Sequence, residues 1–242
     1  MEAFVFASAL VGGAIASVSG FGIGSFLTPL LALIIDARLA VAAVAIPHVI
    51  GTALRYAWLG VGADRRVVIT FGAASAVGAL GGALLQPRTS SRGIMLLFGV
   101  LLLFVAVMEW SGATRRVRFV GRGRGIAGLA SGVLGGLAGN QGGIRSAALL
   151  GFDLPRDVFV ATATAIALLI DAARLPIYLL NYSNEIFEIW RVVVIACIGV
   201  IVGTALGGRV LRRIPEDRFR SIVATILALL GLSLLWSVIS DR

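Results

Sequence analysis

Three arginines, Arg55, Arg145 and Arg174, lie inside apolar stretches where a bilayer-spanning helix has little room for a fixed charge. The guanidinium fork matches carboxylate, sulfonate or sulfite oxygens, so the chemistry it brings is anion binding away from water. Arg145 sits in "GNQGGIRSAALL", residues 139–150. Gly139, Gly142 and Gly143 let the backbone bend and approach a ligand with no Cβ in the way. A half-helix starting near residue 143 presents free N–H groups and a positive dipole end. Asn140 and Gln141 add side-chain donors. The expected substrate-binding set on this side is therefore Asn140, Gln141, Gly142, Gly143 and Arg145. The bland alternative is that Arg145 only ties down carbonyls freed by the break.

A second small-residue stretch, "SGFGIGSFLTP" at 19–29, carries no arginine but offers Ser19, Ser25 and Thr28 as hydroxyl donors, with Gly22 among the expected binding residues. Two such breaks facing each other make one asymmetric pocket. Pro29 is expected early in the second half-helix, where its missing N–H costs little. His48, the single histidine, could carry a proton or act as a helix-packing donor. Asp171 lies one turn before Arg174, so it is either a proton carrier or an internal ion-pair partner. Arg55 and Arg174 fall about five or six residues from their helix ends, ~8–9 Å. That leaves snorkelling or structural pairing beside a gating role. "GFGIG" and "GRGRGIAG" resemble nucleotide loops but have no strand before them. No zinc spacing or Ser–His–Asp pattern stands out, so no enzyme, metal or cofactor is expected.

The elements that position these residues follow from composition. Of 242 residues, 59% are hydrophobic and 14% charged, and the mean hydropathy is +1.00. Such a chain has the bilayer as its solvent, and long continuous apolar runs select helices over a barrel. The runs fall at about 4–35, 39–60, 67–86, 93–110, 125–152, 158–180, 189–208 and 219–239. The first and fifth are long and broken by glycine: each is two half-helices or one tilted span. Residues 3–16 lack a basic start, so no cleavable signal peptide is expected. All 21 basic residues are arginine, and the net charge of +9 reads as basic loops beside anionic lipid, not nucleic-acid binding. Cys197 lies in an apolar run and has no intrachain partner. The glycines of "GALGG" (78–82) and "GTALGG" (203–208) have the spacing for close helix contact.

The chain repeats itself. At an offset of 119, Gly20 aligns with Gly139, Gly24 with Gly143 and Arg55 with Arg174. At an offset of 126, "ALGG" at 79–82 matches 205–208, the change being absorbed by a longer loop near 181–187. Residues 1–110 and 123–242 are thus two repeats joined by a basic linker at 111–122. If both broken segments cross the membrane, loop arginines divide evenly. If both are re-entrant, five (Arg38, Arg88, Arg92, Arg191, Arg242) face thirteen on the other side. The second arrangement gives the usual cytoplasmic bias. It makes the fold an all-α polytopic membrane protein of two inverted repeats, each a glycine-broken segment plus three transmembrane helices. The linker is then cytoplasmic and both termini are outside.

"GFGIGSFLTPLL", "GTALRYAWLG" followed by "ADRRVVI", "GALGGALL" and "GGLAGNQGGIRSAALLGFD" together resemble the TauE/SafE sulfite exporter family over nearly the whole chain. The resemblance implies a transporter in the bacterial inner membrane that exports a small sulfur-containing or organic anion, such as sulfite or a sulfonate. Two positions depart from the family pattern: "GFGIG" replaces a run of consecutive glycines, and "AALL" replaces Pro-Leu-Leu. The expected partners are that anion, a coupling ion (H+ or Na+), the lipid bilayer and a second copy of the chain as a homodimer. A passive anion channel is the alternative.

Overall fold

The computed structural model describes residues 1–19, 22–59, 61–113, 123–139, 142–152, 154–211 and 214–240. Most of the 111–122 linker lies outside them. The described chain is all helix. The first half contains α1 (Glu2–Ser19), α2 (Ile23–Ala32), α3 (Ala37–Trp58) and α4 (Arg65–Val67). From α4 the chain passes through a π turn, Val68–Gly72, into α5 (Ala73–Leu85), and α6 (Ser91–Trp110) completes the half. The second half contains α7 (Gly123–Ala138), α8 (Gly142–Leu150), α9 (Arg156–Glu188), α10 (Trp190–Leu211) and α11 (Glu216–Ser240). Among the described residues, seven helical stretches are long and apolar enough to cross a bilayer. They are α1, α3, the continuous run Arg65–Arg88, α6, and the greater parts of α9, α10 and α11.

Local sequence explains the main boundaries. Asp36 caps α3 by accepting from the backbone N–H groups of Arg38 and Leu39. Ser90 caps α6 through the N–H of Gly93. The break between α1 and α2 contains Gly22 at φ 149°, and the one between α7 and α8 contains Gly139 at φ 73°. Only glycine adopts these angles without strain. Gly12 of α1 lies against Ile23 and Phe26 of α2, so the chain folds back on itself there.

Two expectations need correction. Pro29 lies well inside α2 rather than at its start. The helix begins six residues earlier, directly after the bend, and Pro29, having no N–H, cannot donate to the carbonyl four residues back. Residues 181–187 are helical, not a loop: α9 continues to Glu188 through a kink at Tyr182, whose φ, ψ are −133°, 16°.

The halves interlock through glycine faces. In lipid, helix association relies on close van der Waals packing, and small residues permit it. On α1, Leu10 and Ala14 meet Gly203 and Gly207 of α10, and Gly13 meets Val200 and Thr204. On α7, Leu129 and Val133 meet Gly78 and Gly82 of α5, and Gly132 meets Ser75 and Ala79. Both pairs run parallel. The equivalence of Gly78 with Gly203, and of Gly82 with Gly207, sets the offset in this helix at 125 rather than 126. The four-letter match "ALGG" is a coincidence of composition one residue out of register. α6 and α11 pair antiparallel, Gly99 against Gly231, with an Arg220–Glu109 ion pair of 2.9 Å near one end.

A Cβ at Gly132 would collide with the Ser75 carbonyl, whereas one at Gly81 would meet nothing within 4 Å. Gly132→Val is therefore expected to lower the thermal unfolding midpoint of the detergent-purified protein, by at least the ~1–3 kcal/mol of an overpacked core. Gly81→Ala should leave it unchanged. Scanning fluorimetry of both variants checks this, and equal midpoints would remove the contact.

Candidate functional site

Helices α3 and α9 cross the middle of the molecule antiparallel, and most of the chemistry lies between them. His48, Thr52 and Arg55 share one face of α3 by their spacing, as Thr164, Asp171, Arg174 and Tyr178 do on α9. His48 Nδ1 lies 2.7 Å from Asp171 Oδ2. Arg174 donates from Nε to Asp171 Oδ1 at 3.0 Å, and its NH2 lies 2.8 Å from the same oxygen. An aspartate paired with arginine is ionised and only accepts, so the His48 Nδ1 position carries the proton in this contact. The internal pair expected at Asp171 and Arg174 is present, and His48 joins it.

Neither Arg55 nor Arg174 snorkels. Arg174 NH1 donates to the Gly135 carbonyl at 2.7 Å, and Arg55 NH1 donates to the Ala16 carbonyl at 2.7 Å. Both acceptors sit in the last turn of their helices, and the Gly135 carbonyl, which also accepts from the Gly139 N–H at 3.0 Å, takes the arginine on its second lone pair. Each arginine therefore braces the first half-helix of its own repeat, 39 residues upstream in both cases. Arg55 Nε also donates to Thr164 Oγ1 at 3.1 Å. Tyr178 donates its hydroxyl to the Gly136 carbonyl, beside the Arg174 brace.

The two breaks meet. A Cβ at Gly24, in the first turn of α2, would lie 2.5 Å from the Gly139 carbonyl oxygen and 3.8 Å from His48 Cδ2. A Cβ at Gly139 would lie 3.7 Å from Thr28 Oγ1 and 3.6 Å from Arg174 NH1. Thr28 is buried, and its Oγ1 has no hydrogen-bond partner among the described residues. Ser25 is buried as well. Ser19 spends a hydroxyl bond on the Ile15 carbonyl of its own helix. Gly142 is the first residue of α8 and is buried, with Gly143 following in the same turn. Arg145 lies on α8 and is 2% exposed, and the charges of Asp171 and Arg174 both act on it. Arg145 in turn acts on Arg55. Asn140 and Gln141 lie outside the described residues.

Among the described residues, the buried charged groups are thus Arg55, Arg145 and Arg174 against Asp171. No cluster of His, Cys, Asp and Glu among them could hold a metal ion. Sequence reasoning did not single out Thr164, Tyr178 or Thr52, nor the cross-repeat contact of His48 with Asp171. The 119-residue offset, which places Thr52 opposite Asp171, was the available signal for Thr52.

A chain whose described elements are all helices, with seven apolar spans and an interior holding three arginines against one aspartate, has the build of a multi-pass membrane protein. The chain belongs to the sulfite exporter TauE/SafE family, whose model matches residues 5–234. Members of that family are transporters, so membership makes this a membrane transport protein. No curated protein and no solved structure gives a significant match.

Asp171 accepts from two partners within the interior, so removing its charge leaves Arg174 buried and unanswered. Asp171→Asn is expected to destabilise the protein by roughly 3–5 kcal/mol. The double variant Asp171→Leu/Arg174→Met, which removes both charges, should unfold at a higher temperature than Asp171→Asn alone. Midpoints in the same detergent measure both, and the reverse order would show that the pair is not a coupled unit.

Proposed function

We propose that this protein exports a small oxyanion, sulfite or a sulfonate, by alternating access around a site between its two broken segments. The observation that carries this reading is the meeting of Gly24 and Gly139 in the interior, beside three buried arginines and one buried carboxylate. Arg145 is the anion's principal contact. Asn140, Gln141 and the start of α8 at Gly142 and Gly143 supply further donors, and Gly22, Ser25, Thr28 and Ser19 line the opposite wall. A helix N-terminus aimed at an anion from a break within the membrane is a recurring device of transporters.

The topology in this proposal is inverted. α1–α2 and α7–α8 are re-entrant hairpins, residues 1–110 and 123–242 are the repeats, and the 111–122 linker is cytoplasmic with both termini outside. The parallel pairing of α1 with α10 and of α5 with α7 supports it. With short turns reversing direction between α3 and α5 and between α9 and α10, those pairings make α1 and α7 run oppositely. H+ is the coupling ion this reading favours: His48 holds its Nδ1 on Asp171 and has a second ring nitrogen that can take a proton. Arg55 and Arg174 hold the breaks and so set the gate. The assignment to a bacterial inner membrane and to a homodimer belongs to the same proposal.

Reconstitution in liposomes tests it. Sulfite flux should saturate and respond to a pH gradient but not to a Na+ gradient. Arg145→Ala should reduce flux at sub-saturating sulfite by about tenfold or more, as expected for a lost charge-assisted contact, with Arg145→Lys between it and wild type. Wild-type flux from Arg145→Ala would refute the role of Arg145, and a non-saturating current would identify a channel. A cysteine at residue 117 should react only with label supplied from the cytoplasmic side; reaction from outside alone would reverse the topology.

A further inference from the structure

The two braces are images of each other, but what surrounds them is not. Arg55 on Ala16 and Arg174 on Gly135 correspond residue for residue at an offset of 119. At that offset Asp171 corresponds to Thr52, and His48 to Ala167. α3 and α9 lie antiparallel, with His48 opposite Asp171 and Arg55 opposite Thr164. The same register puts Thr52 opposite Ala167. The brace of the second repeat therefore has an arginine, a carboxylate and, facing it from α3, an imidazole, where that of the first has an arginine, a hydroxyl and, facing it from α9, a methyl.

The first repeat's version is chemically incomplete. Arg174 turns its NH2 to the Asp171 carboxylate at 2.8 Å. Among the described residues Arg55 has neutral acceptors, the Ala16 carbonyl and Thr164 Oγ1, and no carboxylate. Arg55 is nevertheless 6% exposed. Thr52, one turn before it, is 1% exposed, and its Oγ1 has no hydrogen-bond partner among the described residues. A helical threonine ordinarily returns its hydroxyl to the carbonyl four residues back, as Thr164 does to Val160. A buried cation with neutral partners next to an orphan hydroxyl is an arrangement that a bound anion completes.

We propose that Thr52 and Arg55, opposite Ala167, form an oxyanion subsite, and that the bound oxyanion takes the place held by the Asp171 carboxylate in the other repeat. The proposal rests on the anion-transport reading above and adds to it the location and the shape of the ligand's charged end. One oxygen accepts from Arg55 NH2 and another from the Thr52 hydroxyl. The ligand class is a small oxyanion whose head is the size of a carboxylate, and trigonal-pyramidal sulfite fits that description.

Thr52→Asp rebuilds the missing carboxylate three residues before Arg55, so it should fill the subsite from within. In detergent-purified full-length protein, its unfolding midpoint without ligand should lie above wild type, and sulfite should raise it no further. Thr52→Val keeps the shape and removes the donor; sulfite should then be needed at a concentration about tenfold higher or more for the same stabilisation. Sulfite stabilisation of Thr52→Asp at wild-type concentrations, or a wild-type titration by Thr52→Val, overturns the subsite. If Thr52→Asp does not fold, the Thr52→Val titration decides. A wild-type protein that responds to no anion in a panel of sulfite, thiosulfate, methanesulfonate and acetate overturns the anion-transport reading itself. A responsive wild type with indifferent Thr52 variants overturns the subsite alone.

Discussion

A helix that ends inside a protein brings its last carbonyl groups to a place where water does not reach them, and each still has a lone pair to offer. In this protein the answer is one guanidinium per break. Arg55 reaches the Ala16 carbonyl and Arg174 reaches the Gly135 carbonyl, each at 2.7 Å. The solution creates its own difficulty, because a buried guanidinium needs compensation too. Backbone and hydroxyl oxygens supply part of it. Among the described residues only one of the two braces has a carboxylate, Asp171. The positive character of the interior therefore comes in part from the groups that brace the helix ends.

The rest of the architecture holds those breaks in register. Glycines on α5 and α10 let α7 and α1 approach until backbone nearly touches backbone. This fixes both first half-helices against immobile partners, so that the carbonyls offered to Arg55 and Arg174 stay within reach. α3 and α9 carry the arginines and cross at the centre, linked by His48 with Asp171 and by Arg55 with Thr164. The arginine–carbonyl contacts stay within one half each, whereas the glycine contacts and the α3–α9 links join the two.

Much of this was legible in the sequence, for identifiable reasons. Long apolar runs gave the helices because a bilayer allows few alternatives. The glycine breaks were visible because glycine is the residue that tolerates Gly22 and Gly139 angles. The Asp171–Arg174 pair follows from spacing on one helix. What the sequence did not convey depends on which helices become neighbours. His48 meets Asp171 from 123 residues away, and no local pattern encodes that distance. The one-residue error in matching "ALGG" has a similar origin: a small-residue repeat is nearly self-similar, and only contact with α1 and α7 decides its register. Residues 181–187 are polar enough to read as a loop, yet they continue α9 beyond the kink at Tyr182.

The glycine interlocks have a mechanical consequence. α1 belongs to the first repeat but is fastened to α10 of the second, and α7 belongs to the second but is fastened to α5 of the first. Two repeats that trade helices in this way cannot swing apart along the boundary where the chain duplicates. Any large rearrangement has to carry α1 with α10 and α5 with α7, so the rigid bodies are chimeras of both halves. The line that divides the sequence in two is then not a line along which the packed helices separate into two groups.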